Sequence, residues 1–379
     1  MATILIGGDI CPIGDNAPLF ERGDAEGLFH DVLRDFDDAD LVVANLECPL
    51  VERPAPIQKT GPVFGATPAC INGIKAAGID ALCLANNHIL DHGPTGLATT
   101  IATCAQAGVA TVGAGDNLAA ARRILIRTAG GIRIGLLAMA EREFSIATAE
   151  SPGANPLDVI DYVRNVSASR TAFDFLVVLL HGGAEFLTAP SPRLQDTCRF
   201  LVEMGANAVV VQHPHSVGGY EQYNGGHIVY GQGALVMDEA LYRDLPSFHE
   251  GMLIRLVAAG NGTSSIELIP IVQSDHPRLG ARRMGADQAK AFLSGLSASS
   301  RALLDAGHVR AEWRRYCKHR THDYLSALMG HGRLLRLANR RGHLTRLLYR
   351  RRRLLMARNV VCCEAHREAA ETILSELLQ

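Results

Sequence analysis

Apolar runs of strand length alternate with helical patterns along most of the chain. "TILIGG" (3–8) precedes a helical pattern near 24–36, and "DLVVANLE" (40–47) precedes a polar, proline-rich loop at 52–62. "ALCLAN" (81–86) leads to a helix near 94–107 and then to "GVATVG" (108–113). A hairpin is expected over 123–140, turning at Gly130-Gly131. Helices near 157–169 and 192–204 precede "FDFLVVLLH" (173–181) and "NAVVVQHPH" (207–215). Two further hairpin-like segments follow, 227–237 and 252–272, the second turning at Gly260-Asn261-Gly262. Short apolar runs bounded by helices predict a layered α/β core with mixed β-sheets.

The strand pattern stops near residue 286. Beyond it, 287–307, 309–330, 331–358 and 361–378 read as helices broken by glycine and asparagine. The polar stretch 275–285 marks the boundary, so the expected domains are 1–280, α/β, and 281–379, an all-helical C-terminal region.

Charge changes the picture in that last region. The formal net charge is −2, yet residues 301–379 carry 17 Lys/Arg against 7 Asp/Glu, and 331–358 hold ten arginines and no acid. Such a region docks on an acidic surface or meets an anionic partner. Nucleic acid is not favoured as that partner. No reader motif is present, and Trp313, Tyr316, Tyr324 and Tyr349 form no evident stacking platform. No run of 18 apolar residues occurs, so no membrane span is expected. The N-terminal residues show no secretory pattern, and a cytoplasmic location is expected. Nine cysteines, odd in number and without CxxC spacing, read as free thiols.

The candidate chemistry sits where the apolar runs end. Asp9 ends the first run, Asn45 and Glu47 the second, and Asn86, Asn87 and His88 the third. His181 ends a later run, with Glu185 four residues on, and "HPH" places His213 and His215 after another. Strand carboxyl ends form the ligand crevice of open α/β sheets, so distant residues can converge there. Carboxylates, imidazoles and an asparagine carbonyl suit one or two divalent ions. Taken singly, each residue is equally compatible with a turn cap or a hydrogen-bonded structural side chain.

The motifs "GD", "NLE", "LANNHxxDHG", "HGGxE", "QHPH" and "IVYGQG", in that order over about residues 3–240, resemble the CapA-like capsule and poly-gamma-glutamate synthesis family. That family is related to the calcineurin-like metallophosphoesterases. The resemblance implies a metallophosphoesterase-like core with Mn, Zn, Fe or Ca. Asp9 and His215 would bind one ion, Asn87, His181 and His213 the other, and Glu47 would bridge them. It also implies His88 as a reactive group outside the metal shell, oriented by Asp91, with Glu185 facing substrate and His215 a further candidate proton carrier. Two positions depart from the pattern. Cys11 stands where the phosphoesterases place a histidine, and Ala234 replaces an expected asparagine.

The leading expectation is a metal-dependent hydrolase acting on a phosphoester or amide-like bond of an anionic small molecule or peptide. A cytoplasmic peptide epimerase is the alternative, its basic region recruiting an acidic precursor peptide. A non-catalytic capsule or polymer assembly protein is the third.

Overall fold

The computed structural model describes residues 1–328, 330, 332–362, 366, 370 and 374. Its core is two mixed sheets packed face to face. The first has eight strands. β1 (Ala2–Cys11) lies between antiparallel β14 (Glu250–Ala258) and parallel β2 (Leu41–Leu46). β3 (Ala81–Cys83) and β4 (Ala110–Val112) continue outward from β2, and β15 (Ser264–Gln273) and β16 (Ala281–Arg283) from β14. β13 (Ala234–Met237) pairs in parallel with the C-terminal end of β1.

The second sheet has the order β11 (Tyr220–Tyr223), β12 (Gly226–Val229), β10 (Ala208–Gln212), β9 (Phe175–His181), β7 (Ile132–Ala140) and β6 (Leu125–Ala129). A small ribbon joins β5 (Ala114–Gly115) to β8 (Gly153–Ala154).

The period-2 alternation of strand side chains explains this layering. Leu136, Val177 and Leu179 face the first sheet and share a core with Ile4, Ile6 and Val43. Their neighbours Leu137, Val178 and Leu180 face the other way. They pack with Tyr162 and Val166 of helix Val159–Ala168 and with Cys198 and Leu201 of helix Pro192–Glu203. Strands buried on both faces read as continuous apolar runs, as β9 and β10 do.

The hairpins at 123–140 and 252–272 form as expected, the first turning on Gly130 and Gly131, both at positive φ. The segment 227–237 is not a hairpin. β12 lies in the second sheet and β13 in the first, so the chain crosses between layers at Gly231-Gln232-Gly233. Gln232 secures the crossing by donating from Nε2 to the carbonyls of Ile6 (2.5 Å) and Met252 (3.1 Å). The helical pattern at 24–36 is likewise divided, into Ala25–Phe29 and Leu33–Asp37, with His30 at φ +42° between them.

After β16 all regular structure among the described residues is helical. By contacts the chain forms two compact units, Met1–Arg310 and Ala311–Gln379. Helix Ala286–Leu303 belongs to the first, where Ser300 Oγ accepts a hydrogen bond from Tyr220 N at 2.9 Å. The second unit contains helices Thr321–Leu328, Arg333–Ala338, Thr345–Leu348 and Arg351–Cys362. Within it the hydroxyls of Ser326 and Tyr349 meet at 3.0 Å. Most of the helix expected over 361–378 lies outside the described residues.

Candidate metal centre

The two sheets bring the carboxyl ends of five strands to one place. Asp9, in β1, is in register with Asn45 of β2, which is in register with Cys83 at the end of β3. Glu47 follows β2 directly, and the turn Asn86–Asn87–His88 follows β3. From the second sheet His181 ends β9, opposite Gln212 at the end of β10, and His213 and His215 come next. The apolar runs therefore end at a shared edge, and their first polar residues converge there.

Glu47, His181 and His213 place ligand atoms within 4.8 Å of one another, as do Asp9, Glu47 and His215. Glu47 belongs to both groups. Its Oε1 lies 3.5 Å from His181 Nε2 and 3.5 Å from His215 Nε2. Asn87 extends the first group, its Oδ1 lying 3.0 Å from His181 Nε2. That nitrogen is also 3.1 Å from His213 Nδ1. Asp9 Oδ2 stands 3.4 Å from His215 Nδ1, completing the second group.

Hydrogen bonding leaves this cluster short of positive partners. Both oxygens of Glu47 are buried without a hydrogen bond, as is His215 Nδ1. A buried carboxylate in that state costs several kcal/mol unless a cation meets it, an order of magnitude set by desolvation. Burial, then the nearby Asp9, pushes the Glu47 carboxyl well above its usual range. Burial, then His213, holds His181 well below the usual histidine value, and burial likewise lowers His213. Both imidazoles are therefore neutral, with lone pairs available to a metal. For His215, burial acts downward, but Glu47 and Asp9 outweigh it and raise the group to about 9. Acidic oxygens, neutral imidazoles and orphaned buried atoms together fit divalent-ion coordination.

Local backbone conformation sustains the geometry. His213 and His215 sit at φ +96° and +50°, a region that non-glycine residues rarely occupy. Such strain persists where surrounding contacts over-determine it. Here His213 N donates to Asp9 Oδ2 at 3.3 Å, and Phe186 N donates to the carbonyl of the intervening Pro214 at 2.7 Å. Asn45 orients Asp9 by donating Nδ2 to its Oδ1 at 2.8 Å. The rings of Phe186, Tyr242 and Phe248 surround that of His215.

His88 stands outside both ligand groups. Its Nδ1 lies 2.7 Å from Asp91 Oδ2, leaving Nε2 as its other ring nitrogen. The Phe64 ring lies tilted against the imidazole, 4.5 Å between centroids, and Phe64 N donates to Asp91 Oδ2 at 2.7 Å. Lys59 enters from the exposed proline-rich loop, pairs with Asp91 Oδ1 and lies 3.1 Å from His88 Nδ1. Its side chain is only 1% exposed. Burial lowers the His88 pKa, Asp91 opposes that, and Lys59 assists it.

Residues 3–239 match the model of the family described as bacterial capsule synthesis protein PGA_cap. This chain belongs to that family. Among PGA_cap relatives, it is 28% identical over 286 residues to the capsule biosynthesis protein CapA of Bacillus anthracis, covering 73% of this chain and 69% of that protein. It is 28% identical over 256 residues to the PGA biosynthesis protein CapA of Bacillus subtilis (strain 168), covering 66% of each. The chain thus spans about two thirds of these relatives. A hypothetical protein from Thermus thermophilus superposes with a TM-score of 0.46 at 15% identity, covering 71% of this chain and 98% of that one. The Haemophilus influenzae NAD nucleotidase gives 0.43 at 12% identity, covering 83% and 60%.

The remaining positions singled out from the PGA_cap motifs lie around this centre. Glu185 is exposed and, among the described residues, makes no hydrogen bond to the cluster, though its charge acts on His213 and His215. Cys11 is buried beside Cys48, and burial followed by that neighbour pushes its thiol well up. It adds no atom to either ligand group among the described residues. Ala234 is buried in β13, in register with Asp9. Sequence reasoning missed Lys59, whose loop offers no periodic signal, and Glu143, which accepts from Asn87 Nδ2 at 2.7 Å. A third acidic group, Asp15, Asp238 and His276, is a structural ion-pair network in which Arg243 and His276 already satisfy Asp238. No described helix is long and apolar enough to cross a membrane.

Proposed function

We propose that this chain is a metal-dependent hydrolase acting on a phosphoester or amide-like bond at the strand-end cluster. The carrying observation is Glu47, buried without a hydrogen bond and flanked at 3.5 Å by His181 Nε2 and His215 Nε2. A carboxylate so placed is suited to bridge two ions. Asp9, Glu47 and His215 would hold one, and Glu47, Asn87, His181 and His213 the other. Divalent ions held there would supply Lewis acidity and lower the pKa of a bound water. The chain's own residues do the rest. His88 moves a proton at Nε2 while Asp91 fixes the ring by accepting from Nδ1, and Lys59 holds Asp91 in place. Phe186, Tyr242 and Phe248 keep water from the His215 side. Glu185 faces the approaching substrate.

The test is a screen of metal-loaded protein on phosphodiesters, nucleotides and amide-linked glutamyl compounds. Bond cleavage that disappears in Glu47→Gln supports the reading. Inactivity of fully loaded protein across all three classes overturns it.

One observation favours peptide epimerisation as a second reading. Burial lowers the His88 pKa, and Lys59 offsets the charge of Asp91, so the imidazole is neutral near pH 7 and ready to accept a proton. Deuterium uptake at a peptide Cα without bond cleavage would establish that reading in place of hydrolysis. A role limited to polymer assembly, which the relatives' names leave open, predicts neither outcome.

A further inference from the structure

We propose that the arginine-rich helical segment 333–358 is a peripheral docking surface for anionic phospholipid. The inference comes from the second compact unit alone and is independent of the metal centre.

Two properties coincide there. Arg333, Arg336, Arg340, Arg341, Arg350, Arg351, Arg352 and Arg358 are all exposed, and none takes part in an ion pair among the described residues. Among the described residues of the unit, the ion pairs Glu312–Arg315 and Arg320–Asp323 lie before this segment. Large apolar side chains stand exposed between the arginines. Leu334 is 84% exposed, Leu337 64%, Leu355 54% and Met356 64%.

Helical spacing groups the two kinds of side chain. Leu334 and Leu337 are three apart on helix Arg333–Ala338, and Arg333 and Arg336 repeat the same interval beside them. Helix Arg351–Cys362 repeats the combination, with Leu355 and Met356 following Arg351 and Arg352. The unit spends its buried polar contacts on holding these helices together. Ser326 meets Tyr349 at 3.0 Å, and Asn339 Oδ1 accepts from Leu344 N at 2.8 Å. The arginines and leucines remain outward.

A polyanion such as nucleic acid or an acidic peptide would use the guanidinium groups and leave the leucines in water. The aromatic rings needed to stack bases are otherwise engaged, since Trp313 and Tyr316 stack on each other at 5.4 Å between centroids. An anionic bilayer surface uses both components. Guanidinium groups meet lipid phosphates, and leucine side chains enter the boundary between headgroups and acyl chains. No covalent anchor or membrane span is required.

The experiment is co-sedimentation of the full chain with vesicles of phosphatidylcholine alone or with about 30% phosphatidylglycerol, in about 0.1 M salt where exposed charges remain partly unscreened. Binding is expected only to the anionic vesicles. Replacing Arg333, Arg336, Arg340 and Arg341 by Gln should weaken it roughly 100-fold or more, at about fivefold per charge. Leu334→Ser with Leu337→Ser should weaken it about tenfold or more through lost apolar burial. Circular dichroism and an unchanged melting temperature show that each variant remains folded. Equal binding to both vesicle types, or no binding to either, overturns the proposal. So does full binding by the leucine variant alongside tight binding of wild type to RNA or poly-glutamate, which marks a general polyanion site. Concentration-dependent dimerisation abolished by the leucine changes also overturns it, because those side chains then face a second copy.

Discussion

Asp91 grips His88 at 2.7 Å through Oδ2 while its other oxygen is held by Lys59, a residue 32 positions earlier in an otherwise exposed loop. All three side chains are buried, so the aspartate charge depends on that lysine for its counter-ion. Lys59→Met should therefore destabilise the protein by about 3 kcal/mol, the scale of breaking a buried ion pair. Denaturant unfolding measures this. Lys59→Met combined with Asp91→Asn should recover part of the loss, because no charge is then stranded. Additive losses in the double variant would refute the coupling. Bound metal should be unchanged throughout, since neither residue belongs to the ligand groups.

Glu47 predicts an opposition between stability and metal binding. Glu47→Gln removes a buried carboxylate without a hydrogen bond, so above about pH 9, where His215 has lost the proton that Glu47 holds on it, the chelated protein should gain roughly 1–3 kcal/mol. The same change should remove most of the bound metal and the increase in Tm that metal produces. His213→Ala should reduce metal without the stability gain. Elemental analysis paired with melting curves checks both. Retention of metal by Glu47→Gln combined with His213→Ala would sink the ligand assignment.

These positions were legible in the chain because each interrupts a continuous apolar run at its carboxyl end, where strand and loop chemistry differ most. His181 and His213 are examples, and the strands before them are buried on both faces. Lys59 was not legible, because its role depends on a long side chain reaching inward from a loop without periodicity. The split of 227–237 was hidden for another reason. Gly-Gln-Gly reads as a turn, and only the closed fold shows Gln232 bonding to Ile6 and Met252 across a change of layer. The local motif was the same, and long-range pairing decided its meaning.

Close backbone packing beside Asp9 yields a steric prediction. A Cβ on Gly8 would lie 2.1 Å from the carbonyl oxygen of Gly233, where β1 meets the crossing chain. Neither partner is a flexible side-chain tip, so the backbone itself must move. Gly8→Ala should cost about 3 kcal/mol, the upper part of the usual overpacking range, and displace Asp9 with loss of metal affinity. Gly225→Ala, at a turn where nothing lies within 4 Å of the added carbon, should leave metal affinity unchanged. Wild-type stability and metal binding in Gly8→Ala would contradict the packing argument.

Proton linkage at His215 gives the pH dependence its sign. Burial lowers this group, but Glu47 and Asp9 raise it from 6.5 to about 9. The folded metal-free protein therefore binds the proton more tightly than the unfolded chain does. That contribution to stability is complete below pH 6.5 and is lost as pH rises through about 9. Glu47, also raised, acts in the same direction. The Tm of chelated protein should fall across this window. Metal must displace the His215 proton, so affinity should rise over the same window, by up to about tenfold per pH unit for one proton. Calorimetry in buffers of different ionisation enthalpy should register that proton's release, and the release should vanish in His215→Gln. A chelated protein whose Tm climbs between pH 6.5 and 9 would reverse the sign and remove His215 from the site's proton balance.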